Sequence, residues 1–288
     1  MEYLTRLEGP VLGFYAGERY IDCLCGKKLQ KIEKESGRVV YEREVFEKDG
    51  LARNLAAENG RIFVSDFCTL NIFHQDTYEL LDRQLLGEDL SSDICGLTAE
   101  GGTIYCSVRN GRLAAVDQNS FQKKEYGISD SSMWSLRVYG SSLLCGTVDG
   151  RLLSLNRESM AVEKELRLGR QNIRSLFADG RILYAAGQDK RLFEIDLTKF
   201  EVIRAKRNVH SKMFDCAGIF GGSLVTVSHP CSEIALWNKE TLEKCGELKV
   251  PLKLSGCAHI EGNKLYLSSR SICGIGLIDL NKISEKNF

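Results

Sequence analysis

Residues 173–196 read IRSLFADGRILYAAGQDKRLFEID. Three apolar runs of strand length are separated by Asp-Gly and by Gly-Gln-Asp-Lys, combinations that turn a chain sharply between strands. The pattern recurs outward in both directions. Six glycines stand where Gly180 stands: Gly60, Gly101, Gly140, Gly180, Gly221 and Gly262, at spacings of 41, 39, 40, 41 and 41 residues. The segments around them read AAENGRIFVSD, LTAEGGTIYCSV, LRVYGSSLLCGT, LFADGRILYAAG, AGIFGGSLVTVS and AHIEGNKLYLSS, and a looser copy, FYAGERYIDCLC, carries Gly17.

A second column runs in register with the first. An apolar residue followed by a polar one ends the third run of each unit, at Ile32-Glu33, Phe73-His74, Val116-Asp117, Leu155-Asn156, Ile195-Asp196, Trp237-Asn238 and Ile278-Asp279. Two columns sharing one period of about 40 residues are the signature of a repeat architecture. Each unit holds four short strands. The second and third runs are nearly continuous in apolar residues, as strands buried on both faces are. The fourth, for example VEKELRL at 162–168, is charged and alternating. One such unit cannot bury both faces of its sheet alone, so neighbours must stack. The fold class expected is all-β: one domain over 1–288, a seven-bladed β-propeller of four-stranded antiparallel blades. The seventh unit lacks a good fourth strand after Ile283, and Tyr3–Glu8 resembles the fourth strands elsewhere. The N-terminal strand is therefore expected to complete the last blade.

Composition narrows the function classes. With 39 Lys plus Arg against 39 Asp plus Glu, the formal charge is zero, which argues against the basic surplus of a nucleic-acid binder. The beginning of the chain has no secretory pattern, and no apolar run approaches the roughly 20 residues of a membrane span. Eleven cysteines, an odd number scattered through apolar runs, suit buried free thiols in a reducing compartment, cytoplasm or nucleus. Cys23-x-Cys25 lacks the spacing and the second pair of a zinc site.

The unit resembles the WD-repeat family at Ile173–Leu176, Asp179–Leu183, Gly187-Gln188-Asp189 and Leu192–Asp196, continuing to a connector whose His210 is placed like that family's Gly-His. Only Trp237-Asn238 keeps the tryptophan, and Gly-His is reduced to Val209-His210. Quinoprotein-like and lactonase-like propellers share the general pattern. The resemblance implies a rigid platform that binds partner proteins or peptides through the face bearing the connectors and the turns between second and third strands.

Counting six residues back from each turn glycine places Val11, Asn54, Cys95, Trp134, Arg174, Asp215 and Gly256 at the mouth of the expected central channel. Asn54, Trp134, Arg174 and Asp215 are the partner-binding candidates there, with Arg109 in the turn VRNGR at 108–112. Trp and Arg dominate interface energetics when placed centrally. A simpler reading has Trp134 packed between blades and Arg174 paired with Asp215. An enzyme using the same mouth would draw on Asn54, Asp93, Asn172 and Asp215 as oxygen ligands, but Trp134, Arg174 and Met213 would crowd a cation. No nucleophile–base pair or phosphate-cradling glycine motif is present. No catalytic residue, metal or cofactor is therefore expected.

Overall fold

In the computed structural model, residues 2–47, 52–86, 93–229, 233–250, 254–269 and 273–284 are described. They form seven four-stranded antiparallel sheets, the blades. Blades 1 to 6 each run four consecutive strands side by side, over 11–44, 52–85, 94–127, 133–167, 173–206 and 213–249. Blade 7 has strands Leu254–Glu261, Lys264–Ser269 and Gly274–Asp279, and its fourth strand is Glu2–Arg6, with Glu2 opposite Leu277. The expected completion of the last blade by the N-terminal segment is thus observed. Helix is confined, among the described residues, to Asn281–Ser284 and a short 3₁₀ turn at Arg109–Gly111.

The strands form where the sequence alternates poorly and branches often. Second strands such as Ile182–Gly187 and third strands such as Leu192–Asp196 are buried almost throughout, because sheets cover both their faces. The turn between first and second strands demands a left-handed backbone, met in blade 2 by Asn59 (φ 51°) with Gly60 (φ 72°) and in blade 3 by Gly101 (φ 67°) with Gly102 (φ 79°). Fourth strands face water. Blade 4 follows the expected charged pattern, but in blades 1 and 2 the fourth strands leave Val39, Val40, Tyr41, Leu80, Leu81 and Leu85 exposed.

By packing, the chain divides into two units, 1–50 with 206–288 and 51–205. In the first, Val225, Ile234, Leu265, Leu280 and Ile283 belong to one core cluster, and Val11, Ile21, Cys23 and Ile275 to another. In the second, clusters form around Phe63 and Ile104, around Leu143 and Leu153, and around Leu183 and Phe193. Within that unit the first strand of blade 4 packs against the first strands of blades 3 and 5. Polar side chains also join consecutive blades. The Glu58 carboxylate accepts hydrogen bonds from Gly101 N (2.7 Å) and from Gln118, while Arg157 donates to Glu100 O (2.7 Å), Gly140 O (2.9 Å) and Tyr105 OH (3.0 Å).

All ten cysteines among the described residues are free, and six are buried. Burial in apolar surroundings pushes the thiols of Cys106, Cys145 and Cys216 up, so they stay neutral.

Candidate functional site

The first strands of blades 3, 4 and 5 share a β-bulge near their starts. Register slips between Ile94 and Gly96, between Met133 and Ser135, and between Ile173 and Ser175. A bulge leaves one residue out of the ladder and re-aims its side chain. The residues so displaced are Cys95, Trp134 and Arg174. Serine hydroxyls brace the displacement from the neighbouring blade: Ser107 Oγ donates to Met133 O and Ser135 Oγ donates to Ile173 O, both at 2.8 Å. Each carbonyl precedes a displaced residue, so the bulges at Trp134 and Arg174 are tied to the blade beside them and their backbone acceptors are satisfied in a buried setting.

The consequence is clearest at Trp134. Its neighbours Met133 and Ser135 are buried, yet its own side chain is 37% exposed. Trp134 therefore does not simply fill space between blades. Arg174 is half-buried one blade further on.

Asn54 and Asp215 do not share this position. In blade 2 the slip lies between Ala52 and Asn54, so the displaced residue is Arg53 and Asn54 corresponds to Gly96 and Ser135. The physical reason is the turn: Gly60 is its second residue, after Asn59, whereas Gly101 is the first of its own. Counting back from glycine therefore lands one residue late. Asn54 turns back on its own blade, Nδ2 donating to Ser65 Oγ at 3.0 Å. In blade 6 the slip moves to between Cys216 and Gly218. Asp215 sits in the regular ladder opposite Val227, with its Oδ2 2.7 Å from Nε2 of buried His229. Arg109 does occupy the turn after the second strand of blade 3, where Nη2 reaches Asp93 Oδ2 at 3.1 Å. Pro230, Cys231 and Arg270 lie outside the described residues.

Two further polar constellations lie in blades 4 to 6. In blade 6, Trp237 Nε1 donates to Thr226 Oγ1 (2.8 Å), His210 Nε2 lies 2.7 Å from the same oxygen, and His210 Nδ1 lies 3.2 Å from Glu233 Oε2. The carboxylate can only accept, so Nδ1 carries the proton and Nε2 accepts from the threonine hydroxyl. Burial lowers the His210 pKa despite the opposing pull of Glu233, in keeping with this neutral form. In blades 4 and 5, the turns after the second strands carry Asp149 with Arg151 and Asp189 with Arg191. Burial raises the Asp149 carboxyl, but hydrogen bonds from Thr147, Arg167 and Arg151 outweigh it and hold the group at about 2. Among the described residues no three His, Cys, Asp or Glu side chains converge as metal ligands would, and no helix is long and apolar enough to cross a membrane.

Comparison with protein-family models and with curated proteins finds no match. Among solved structures, the chain is similar to the computationally designed Ika8 protein at 10% identity and a TM-score of 0.76, over 96% of this chain and 99% of that one. At that identity the likeness bears on fold alone. With the seven four-stranded blades it gives the class of the chain, a β-propeller built from sequence repeats.

Proposed function

We propose that the protein is a non-catalytic scaffold, a degenerate member of the WD-repeat family, that holds a peptide or loop of a partner protein. The observation that carries this reading is Trp134, a large apolar side chain lifted out of its strand by a braced bulge and left accessible, with Arg174 displaced in the same way on the adjacent strand. An exposed tryptophan on rigid backbone, with an arginine displaced on the strand packed against it, is what interface hot spots are made of. Support for the family reading comes from blade 6, where His210 and Trp237, two of the residues that carry the resemblance, meet through one threonine hydroxyl. The enzyme alternative, lactonase-like or quinoprotein-like, draws less support. Asn54 is engaged with Ser65, Asp93 with Arg109 and Asp215 with His229. The cysteine usage favours a cytoplasmic or nuclear setting.

The test is affinity capture from the native cell with wild type and a Trp134→Ala/Arg174→Glu variant matched for thermal stability, followed by titration of the purified partner. A stoichiometric partner whose affinity falls at least about tenfold in the variant supports the scaffold. A partner held equally by both overturns the site. Stoichiometric metal with turnover of a small substrate overturns the class.

A further inference from the structure

In the unit 51–205, the connector after blade 4 and the turn 187–191 of blade 5 border an open cavity of about 650 Å³, lined by Arg167, Arg170, Gln171, Asp189 and Arg191 with Gly169. That volume lies within the range of ligand sites. Three guanidinium groups face one carboxylate. We propose that this cavity binds a carboxylate-rich segment of a partner protein, an inference that rests on the scaffold reading and supplies the chemistry of the partner.

Two missing side chains build the site. A Cβ at Gly187 would lie 2.5 Å from Asp189 Oδ1, and a Cβ at Gly169 would collide with the Arg191 guanidinium. Glycine at both positions lets Asp189 fold down over its own turn and lets Arg191 lie flat across the connector. Asp189 accepts from Arg191 Nε at 2.6 Å and from Arg191 Nη2, so the guanidinium is fixed before any ligand arrives. The two walls are tied together by Gln188 N donating to Asn172 O at 2.8 Å. The sibling turn in blade 4 differs at the matching position: Thr147 replaces Gly187, and its hydroxyl donates to Asp149 Oδ1 at 2.6 Å.

The remaining arginines are available to a ligand. Arg170 is exposed, and no carboxylate among the described residues lies within ion-pair reach of it. Arg167 is 56% exposed and contacts Asp149 at 3.0 Å, but Asp149 is also held by Arg151 at 2.9 Å and by Thr147, so releasing Arg167 leaves that carboxylate partnered. Planar guanidinium forks match carboxylates in bidentate geometry. The excess of two positive charges suits two singly charged side chains. A dianionic phosphate would sit against Asp189 with no lysine in the lining to compensate. The lining is largely open to solvent, which suits a segment of chain laid across it.

The experiment titrates the full chain against a fluorescent peptide alternating Glu and Gly, and against its Gln counterpart, by anisotropy. Binding of the Glu peptide alone, weakened roughly tenfold by Arg170→Glu and less by Gly169→Ala, is expected. The charge-matched Lys199→Glu, on an exposed cation at the turn between the third and fourth strands of blade 5, should leave it unchanged. Equal binding of the Gln peptide, indifference to Arg170→Glu, or displacement of the peptide by millimolar phosphate or a single-stranded oligonucleotide would overturn the inference. A partner captured through Trp134 together with no acidic-peptide binding would sink this inference and leave the scaffold standing. A captured partner held equally by wild type and the Trp134→Ala/Arg174→Glu variant, with acidic-peptide binding intact, would overturn the Trp134 site and leave this inference standing.

Discussion

Blades 5 and 6 carry the same strand pattern and stabilise it by different means. In blade 5, Ala185 lies opposite Phe193 and Ile195 opposite Leu183, and all four belong to one apolar cluster. At the matching places in blade 6 stand Thr226 and Trp237, joined to His210 and through it to Glu233. Blade 5 reads as the cleaner repeat in sequence, yet blade 6 holds the hydrogen-bonded knot. An apolar layer tolerates small changes of shape, whereas a buried polar network is strong only while every member is satisfied. Blade 6 should therefore be brittle where blade 5 is forgiving.

The largest expected effect is at Trp237, which is buried to 2% exposure and flanked by the Lys206 and Lys244 ammonium groups, each 5.4 Å from its ring. Trp237→Ala should cost about 3–5 kcal/mol in urea denaturation, while Ile195→Val in blade 5 should cost about 0.5–1.5 kcal/mol. Similar losses at the two sites would break the comparison. Thr226→Val comes next. It keeps the shape, removes the shared hydroxyl and leaves two buried ring nitrogens unsatisfied, for about 1–3 kcal/mol. A loss no larger than that of Ala185→Gly, about 1 kcal/mol, would mean the hydroxyl is incidental.

Acid sharpens the contrast without mutation. His210 is held below the ordinary histidine value of 6.5 in the folded chain, so the unfolded chain takes up the proton first. The contribution of blade 6 is complete above 6.5 and declines as pH falls below it. Glu233, whose carboxyl is pushed up by burial but brought lower overall by Ser211 and His210, loses its contribution at still lower pH, below the ordinary 4.5. The denaturation midpoint of wild type should drop between pH 6.5 and 5, and that drop should shrink in His210→Gln. Identical pH profiles would place the titrating group elsewhere. The smallest effects belong to the partly exposed turn carboxylates. Glu233→Gln and Asp189→Asn should each cost under about 1 kcal/mol at neutral pH, with the blade 6 change the greater because Glu233 also accepts Ser211 Oγ at 2.7 Å.

The glycine and apolar–polar columns were sufficient to read the blade count, and the missing fourth strand of the last unit with the likeness of Tyr3–Glu8 to fourth strands gave the pairing of the two ends, because both depend on a pattern that each repeat restates. The site was legible only in part. Trp134 and Arg174 stood in one column, but Asn54 and Asp215 joined it falsely. A bulge adds a residue without marking it in sequence, and Asn59-Gly60 and Gly101-Gly102 use their glycines at different turn positions. His210 and Trp237 each stood out alone. Their link, Thr226, lies inside SLVTVSH, where a hydroxyl reads as an ordinary strand residue, and Glu233 reads as a solvated charge. The arginine cavity was hidden for another reason. Gly169 and Gly187 look like turn residues, and their role is the space they leave.

The pairing of Glu2–Arg6 with Gly274–Asp279 also sets a schedule. The partners lie roughly 270 residues apart. At about 5–20 residues per second, the earlier of the two strands must wait on the order of 15–55 seconds at the ribosome for the later one. For that interval it is a lone edge strand with no sheet to join. Glu2 and Arg6, both exposed, put charge on that strand while it waits. Their value lies in the time before the molecule is finished, when an uncharged strand would be free to pair with a neighbouring nascent chain.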